Sequence, residues 1–128
     1  MKRIHVVAAV IEGSHERILI AKRPDHLHQG GLWEFPGGKL EQGESARVAL
    51  ERELLEELGI HVTEARPFVC ISHDYPDKQV LLDVWWVDGF TGRAASLEGQ
   101  QIAWVQKAEL AGYSFPEANA GIIEKILQ

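Results

Sequence analysis

The sequence predicts an α/β fold in which a mixed β-sheet carries helices on its faces. Three features predict it: Val- and Ile-rich segments recur along the chain, a Gly- and Pro-free run over 46–58 interrupts them, and a further helical stretch closes the chain. A length of 128 residues suits one domain, 1–128, able to bury a core without disulfides. Hydrophobic residues at 45% and charged residues at 25% exclude a disordered chain.

Taken in order, Ile4–Ile11 and Arg17–Ala21 read as adjacent strands of a hairpin joined by Glu12-Gly13-Ser14-His15-Glu16. Residues 24–31 are a loop, and His26 and His28 within it lack the partner spacing of a zinc site. Trp33-Glu34-Phe35 is a short extended piece, and Pro36-Gly37-Gly38 reads as a turn. Ser45 is the expected N-cap of a helix running to Leu58, with Gly59 as its stop. Strands are expected around Pro67–His73 and Gln79–Val87. The second is apolar on nearly every residue, as a central strand covered on both faces would be. A loop over 88–100 with three glycines precedes a short strand, Ile102–Val105, and Lys107–Ala111 and Glu117–Leu127 read as helices.

Charge narrows the partners. Thirteen Lys and Arg against nineteen Asp and Glu leave a net charge of −6, so polymeric nucleic acid is a poor partner. A small phosphorylated molecule fits only if something cancels the repulsion. The apolar N-terminal run is too short for a membrane span and lacks a processing site, so no membrane partner and a cytoplasmic location are expected. Cys70, the single cysteine, lies in the apolar run Phe68-Val69-Cys70-Ile71 and reads as a buried, unreactive thiol.

The helix over 45–58 carries the chemistry. At about 100° per residue, Glu53, Glu56 and Glu57 fall within an arc of about 100°. Leu50, Leu54 and Leu58 form a stripe on one side of that arc, with Val48 and Leu55 on the other, so both flanks should be anchored by packing. A solvated acidic face is the ordinary reading of such a helix. Against it, Glu56 and Glu57 are neighbouring anions near a helix C-terminus, where the dipole disfavours them. A hard divalent cation would offset that cost, and Mg²⁺ or Mn²⁺ suits carboxylates completed by phosphate oxygens. The same cation would let an acidic protein hold a phosphorylated ligand. Arg52, one turn before Glu56, is placed to pair with it. Gly37 and Gly38 would let a backbone carbonyl approach a metal, and Lys39 beside them is placed for phosphate.

These residues resemble the Nudix family. Gly38, Glu44, Arg52-Glu53-Leu54, Glu56-Glu57 and Gly59-Ile60 match all nine specified positions of the Nudix box over residues 38–60. The resemblance implies a Nudix-type α/β/α sandwich with a mixed β-sheet, and hydrolysis of nucleoside diphosphates linked to another moiety with the help of divalent cations. It makes Glu53, Glu56 and Glu57 metal ligands, Gly37 a carbonyl donor, and Glu44 and Arg52 the residues that shape the loop and helix.

Outside the box the chain resembles the MutT subgroup, the 8-oxo-dGTP diphosphatases. The resemblance rests on Ala21-Lys22-Arg23, Trp33-Glu34-Phe35-Pro36-Gly37-Gly38, Glu98-Gly99-Gln100, Trp104 and Phe115-Pro116-Glu117-Ala118-Asn119. It implies that Arg23 contacts nucleotide phosphates, Phe35 lines the base pocket and Asn119 reads the base. Glu98 becomes a further metal ligand or the general base, a role that Glu53 could also fill. Tyr75 and Lys78 stand where the subgroup has Phe and Arg, which bears on nucleotide affinity. The implied reaction takes 8-oxo-dGTP to 8-oxo-dGMP and pyrophosphate by water attack at the β-phosphorus, in a monomer. Rival expectations are another nucleotide, such as ADP-ribose or a dinucleoside polyphosphate, and a non-catalytic Nudix-fold binding module. Such modules typically lose box glutamates, and here none is missing.

Overall fold

The computed structural model describes residues 2–26 and 30–128, so His28 and part of the expected loop over 24–31 lie outside the described residues. The strands are β1 (Lys2–Ile11), β2 (Ile18–Lys22), β3 (Trp33–Glu34), β4 (Gly37–Lys39), β5 (His61–Tyr75), β6 (Lys78–Thr91) and β7 (Gln101–Val105). The α-helices are α1 (Ala46–Leu58) and α2 (Ala120–Ile126). They form the mixed α/β Nudix-type sandwich. A four-stranded sheet in the order β4-β1-β6-β5 is its centre, and a three-stranded antiparallel sheet, β3-β2-β7, lies beside it.

Strand β1 explains the layering. Val7, Ala8, Ala9, Val10 and Ile11 are all buried, so both faces of β1 need cover. Val7, Ala9 and Ile11 pack with Leu50, Leu54 and Leu58 of α1. Ala8 and Val10 pack on the other face with Ile18, Ile20, Ile122 and Ile126, from β2 and α2. β1 runs parallel to β6, pairing Val7 with Asp83, and antiparallel to β4.

Four local expectations are corrected. β1 and β2 do not form a hairpin; they share one bridge, Glu12 with Ile18, and then part into different sheets. A strand buried on both faces recruits β4 and β6 instead, and the connection turns through His15 and Glu16 at φ 60° and 58°. Pro36-Gly37-Gly38 is not a turn, because Gly37 and Gly38 belong to β4, where Gly37 pairs with Ala8. A Cβ on Gly37 would run into the Val7 carbonyl, so this glycine permits close approach rather than reversal. The loop expected over 88–100 begins only after β6 ends at Thr91. Cys70 is exposed on the edge strand β5, not buried. Its Sγ lies 3.8 Å from Asp83 Oδ1, and local desolvation and Asp83 raise its pKa, which disfavours the thiolate.

The remaining elements follow the sequence with shifted ends. Expected strands 67–73 and 79–87 lengthen to β5 and β6, joined at Tyr75↔Lys78 across Pro76-Asp77. Lys107–Gly112 is 3₁₀ rather than α, and Glu117–Asn119 is a 3₁₀ turn leading into α2. Among the described residues no helix is long and apolar enough to cross a membrane.

Candidate active site

The acidic site is held by the cap and register of α1. The Ser45 side chain accepts from the Val48 N–H at 3.2 Å, and Gly59 closes the helix at φ 72°. Ala49, Leu50, Leu54 and Leu58 bury one stripe. Val48 and Leu55 do not anchor the other flank: they are 52% and 43% exposed, on a face of α1 left open among the described residues.

Arg52 ties the preceding loop to the helix. Its Nε and Nη2 donate to Glu44 at 2.6 and 2.9 Å, and Nη2 also donates to the Lys39 carbonyl at 3.1 Å. Nη1 reaches Glu53 at 2.9 Å and Glu56 at 3.3 Å. The Arg52 guanidinium, followed by the Glu41 N–H, brings the Glu44 pKa down to about 2. Arg52 thereby links Glu44 and the Lys39 carbonyl to α1, and Glu56 is drawn toward Arg52 with its side chain 53% exposed.

Glu53 and Glu57 face inward. Glu53 lies so close to Gly38 that a Cβ there would be 2.5 Å from its carboxyl carbon. Burial raises the Glu53 pKa despite Arg52. Glu57 Oε2 is buried and has no hydrogen-bond partner. Burial first, then the charges of Glu53, Glu98 and Glu34, push the Glu57 carboxyl up to about 8, against an opposing hydrogen bond from the Gly37 backbone. Glu98 arrives from the far loop for a local reason. The Ala95 and Leu97 N–H groups donate to the Leu58 and Glu57 carbonyls at 3.0 Å each, satisfying the C-terminal end of α1. That pins the loop so that Glu98, Glu57 and Gly37 line one cleft of about 260 Å³.

A divalent cation fits this cleft. The orphaned Glu57 oxygen, with Glu98 lining the same cleft and the Glu53 charge acting on it from outside that lining, is the environment that a hard cation relieves. Among the described residues no three His, Cys, Asp or Glu side chains are already gathered at metal-holding distances, so a cation would have to draw its donors together.

Beside the cleft lies a second cavity of about 330 Å³. Arg23, Phe35, Lys39, Tyr75, Lys78 and Asn119, the six residues expected to bind nucleotide, all line it. Phe35 is buried and stacks on Phe115, with ring centroids 5.3 Å apart. Lys78 Nζ lies 5.5 Å from the Tyr75 ring centroid. Asn119 precedes α2, yet its side chain makes no capping hydrogen bond. The two cavities share Arg23, Glu34 and Gly37, so they are contiguous.

A family model described as the NUDIX domain matches residues 6–125. The chain belongs to the Nudix family. Among curated Nudix relatives, an 8-oxo-dGTP diphosphatase of Proteus vulgaris is 42% identical over 98 residues, covering 77% of this chain and 88% of that protein. A CTP pyrophosphohydrolase of Escherichia coli (strain K12) is 39% identical over 127 residues, covering 99% of this chain and 93% of that one. A solved structure from a study of MutT from Aliivibrio salmonicida and Vibrio cholerae superposes with a TM-score of 0.87 at 47% identity, covering 98% of each chain.

Sequence reasoning missed one residue of this Nudix site. Glu34 lines both cavities and accepts from Arg23 Nη1 at 3.0 and 3.2 Å. Burial raises its pKa even though the Arg23 hydrogen bond and charge oppose it. The available signal was a lone carboxylate between Trp33 and Phe35 in an extended segment.

Proposed function

We propose that 8-oxo-dGTP is the nucleotide on which this Nudix pyrophosphohydrolase acts, giving 8-oxo-dGMP and pyrophosphate and keeping oxidised guanine out of DNA. The observation that carries the reading is the single cavity lined by Phe35, Asn119, Arg23, Lys39 and Lys78, open to the carboxylate cleft. Its volume suits a base and sugar, so the phosphate chain would extend into the cleft. The cations Arg23, Lys39 and Lys78 offset the phosphate charge locally in a chain of net charge −6.

Glu53, Glu57, Glu98 and the Gly37 carbonyl would hold Mg²⁺ or Mn²⁺, whose chemistry there is to neutralise phosphate charge and acidify water. Glu56, the further expected ligand, lies 3.3 Å from Arg52 Nη1 and would join the set from the exposed rim. A carboxylate then takes the proton of the water that attacks the β-phosphorus. Glu53 and Glu98 are the two candidates. Glu98 is the better placed, because Glu53 already accepts from Arg52.

Base selection rests on Asn119. Oxidation at C8 turns guanine N7 into an N–H donor while O6 stays an acceptor. An amide answers both, accepting from N7–H through its oxygen and donating to O6 through its NH₂. Facing dGTP, the amide oxygen meets the N7 lone pair, and a buried group left unpaired in this way discriminates by ~10⁴–10⁵. Asn119→Ala should therefore weaken 8-oxo-dGTP binding far more than dGTP binding, with the Mg²⁺ requirement intact. Equal losses for both nucleotides, accompanied by a lowered melting temperature, would reduce Asn119 to a structural residue. The similarity to the CTP pyrophosphohydrolase favours CTP as a second reading, since cytosine also presents donor and acceptor groups to an amide.

A further inference from the structure

Arg23 and Glu34 stand where the base cavity meets the carboxylate cleft, and both line both. Glu34 lies in β3, and Arg23 follows directly on the end of β2, where Ala21 lies opposite Glu34 and Lys22 opposite Trp33. Nη1 of Arg23 donates to both Glu34 oxygens, and each side chain is 31% exposed. An ordinary strand-to-strand ion pair has no need of this place. Here the Glu34 charge adds to the field on Glu57 in a cleft already crowded with carboxylates. The geometry supplies the compensating benefit. The bond to Glu34 engages Nη1 with both carboxylate oxygens, which restricts the rotamers open to the Arg23 side chain and its planar, pre-organised head. A long, flexible cation is thereby held at the threshold a phosphate chain must cross.

We propose that Glu34 is a positioning residue that orients the Arg23 guanidinium toward the substrate's phosphate chain. The proposal rests on the nucleotide reading above, but its test does not require the right base. Magnesium tripolyphosphate is titrated calorimetrically into wild type, Glu34→Gln, Arg23→Ala and the double variant, with melting temperatures alongside. Turnover of nucleoside triphosphates is measured separately. Glu34→Gln should weaken tripolyphosphate binding and raise KM by roughly tenfold each, with kcat within about threefold of wild type. In the Arg23→Ala background the same change should add nothing, because Glu34 acts through Arg23. Binding unchanged or tightened in folded Glu34→Gln would overturn the proposal, tightening being the mark of a merely repulsive charge. Additive losses in the double variant would overturn it too. If no nucleoside triphosphate is turned over by wild type, the substrate reading falls, and the tripolyphosphate titration still decides the role of Glu34.

Discussion

A methyl group on Gly38 would sit 2.5 Å from the Glu53 carboxyl carbon. Gly38→Ala should therefore displace Glu53 and depress turnover, while a melting temperature near that of wild type shows that the fold survives. Turnover within a few-fold of wild type would mean that Glu53 need not stay where it is. Glu57→Gln makes a complementary test, since it removes charge while preserving size. Turnover should fall by orders of magnitude in a folded protein, and near-normal Mg²⁺-dependent activity would refute Glu57 as a ligand. Glu98→Gln should depress turnover strongly with little change in nucleotide affinity. A rate close to wild type would pass the role of base to Glu53. At this scale the sequence shows most where side chains share a helix face, as Glu53 and Glu57 do on α1, or belong to one short segment, as Phe115 to Asn119 do beside the cavity that Asn119 lines. Glu34 was illegible because its meaning comes from the β2–β3 pairing that sets it against Arg23. The burial of Glu57 was equally hidden, since helical spacing shows a common face but not what covers it.

Elements hold these side chains in place, and α1 with its leading loop does most of the positioning. Glu44 has its pKa lowered from 4.5 to about 2, so the stability it contributes is present above pH 4.5 and is lost as pH falls toward 2. Glu44→Gln should accordingly flatten the decline in melting temperature between pH 4.5 and 2, a window set by those two values. An unchanged slope would mean that the Arg52 bond adds no stability of its own. Leu54 is fully buried beneath α1, and Leu54→Ala should cost ~2–5 kcal/mol in denaturant unfolding. Cap, length and stop of α1 were readable because they depend on local chemistry: Ser45, a run without Gly or Pro, and Gly59. Strand partners were not. A continuous apolar run shows that β2 is buried but not that it pairs with β7 rather than β1, and a glycine pair reads alike in a turn and in a strand pressed against its neighbour. The polar segment 61–66 became part of β5 because an edge strand needs only one covered face.

At the scale of the whole molecule, the four-stranded sheet and its covering elements bring a base-sized cavity and an acidic cleft to a common border at Arg23, Glu34 and Gly37. Glu34 and Gly37, close in sequence, belong to strands of different sheets, and Arg23 follows the end of β2, so this contiguity follows from topology and could not be read from spacing. On the proposed reading, phosphate would there meet cations on one side and, on the other, carboxylates that would hold a divalent cation. Pyrophosphate release from 8-oxo-dGTP, dGTP and CTP, measured side by side with and without Mg²⁺, tests this account most directly. It predicts Mg²⁺-dependent release with kcat/KM far higher for 8-oxo-dGTP than for dGTP or CTP; preference for CTP, equal use of dGTP, or no release from any of them would contradict it.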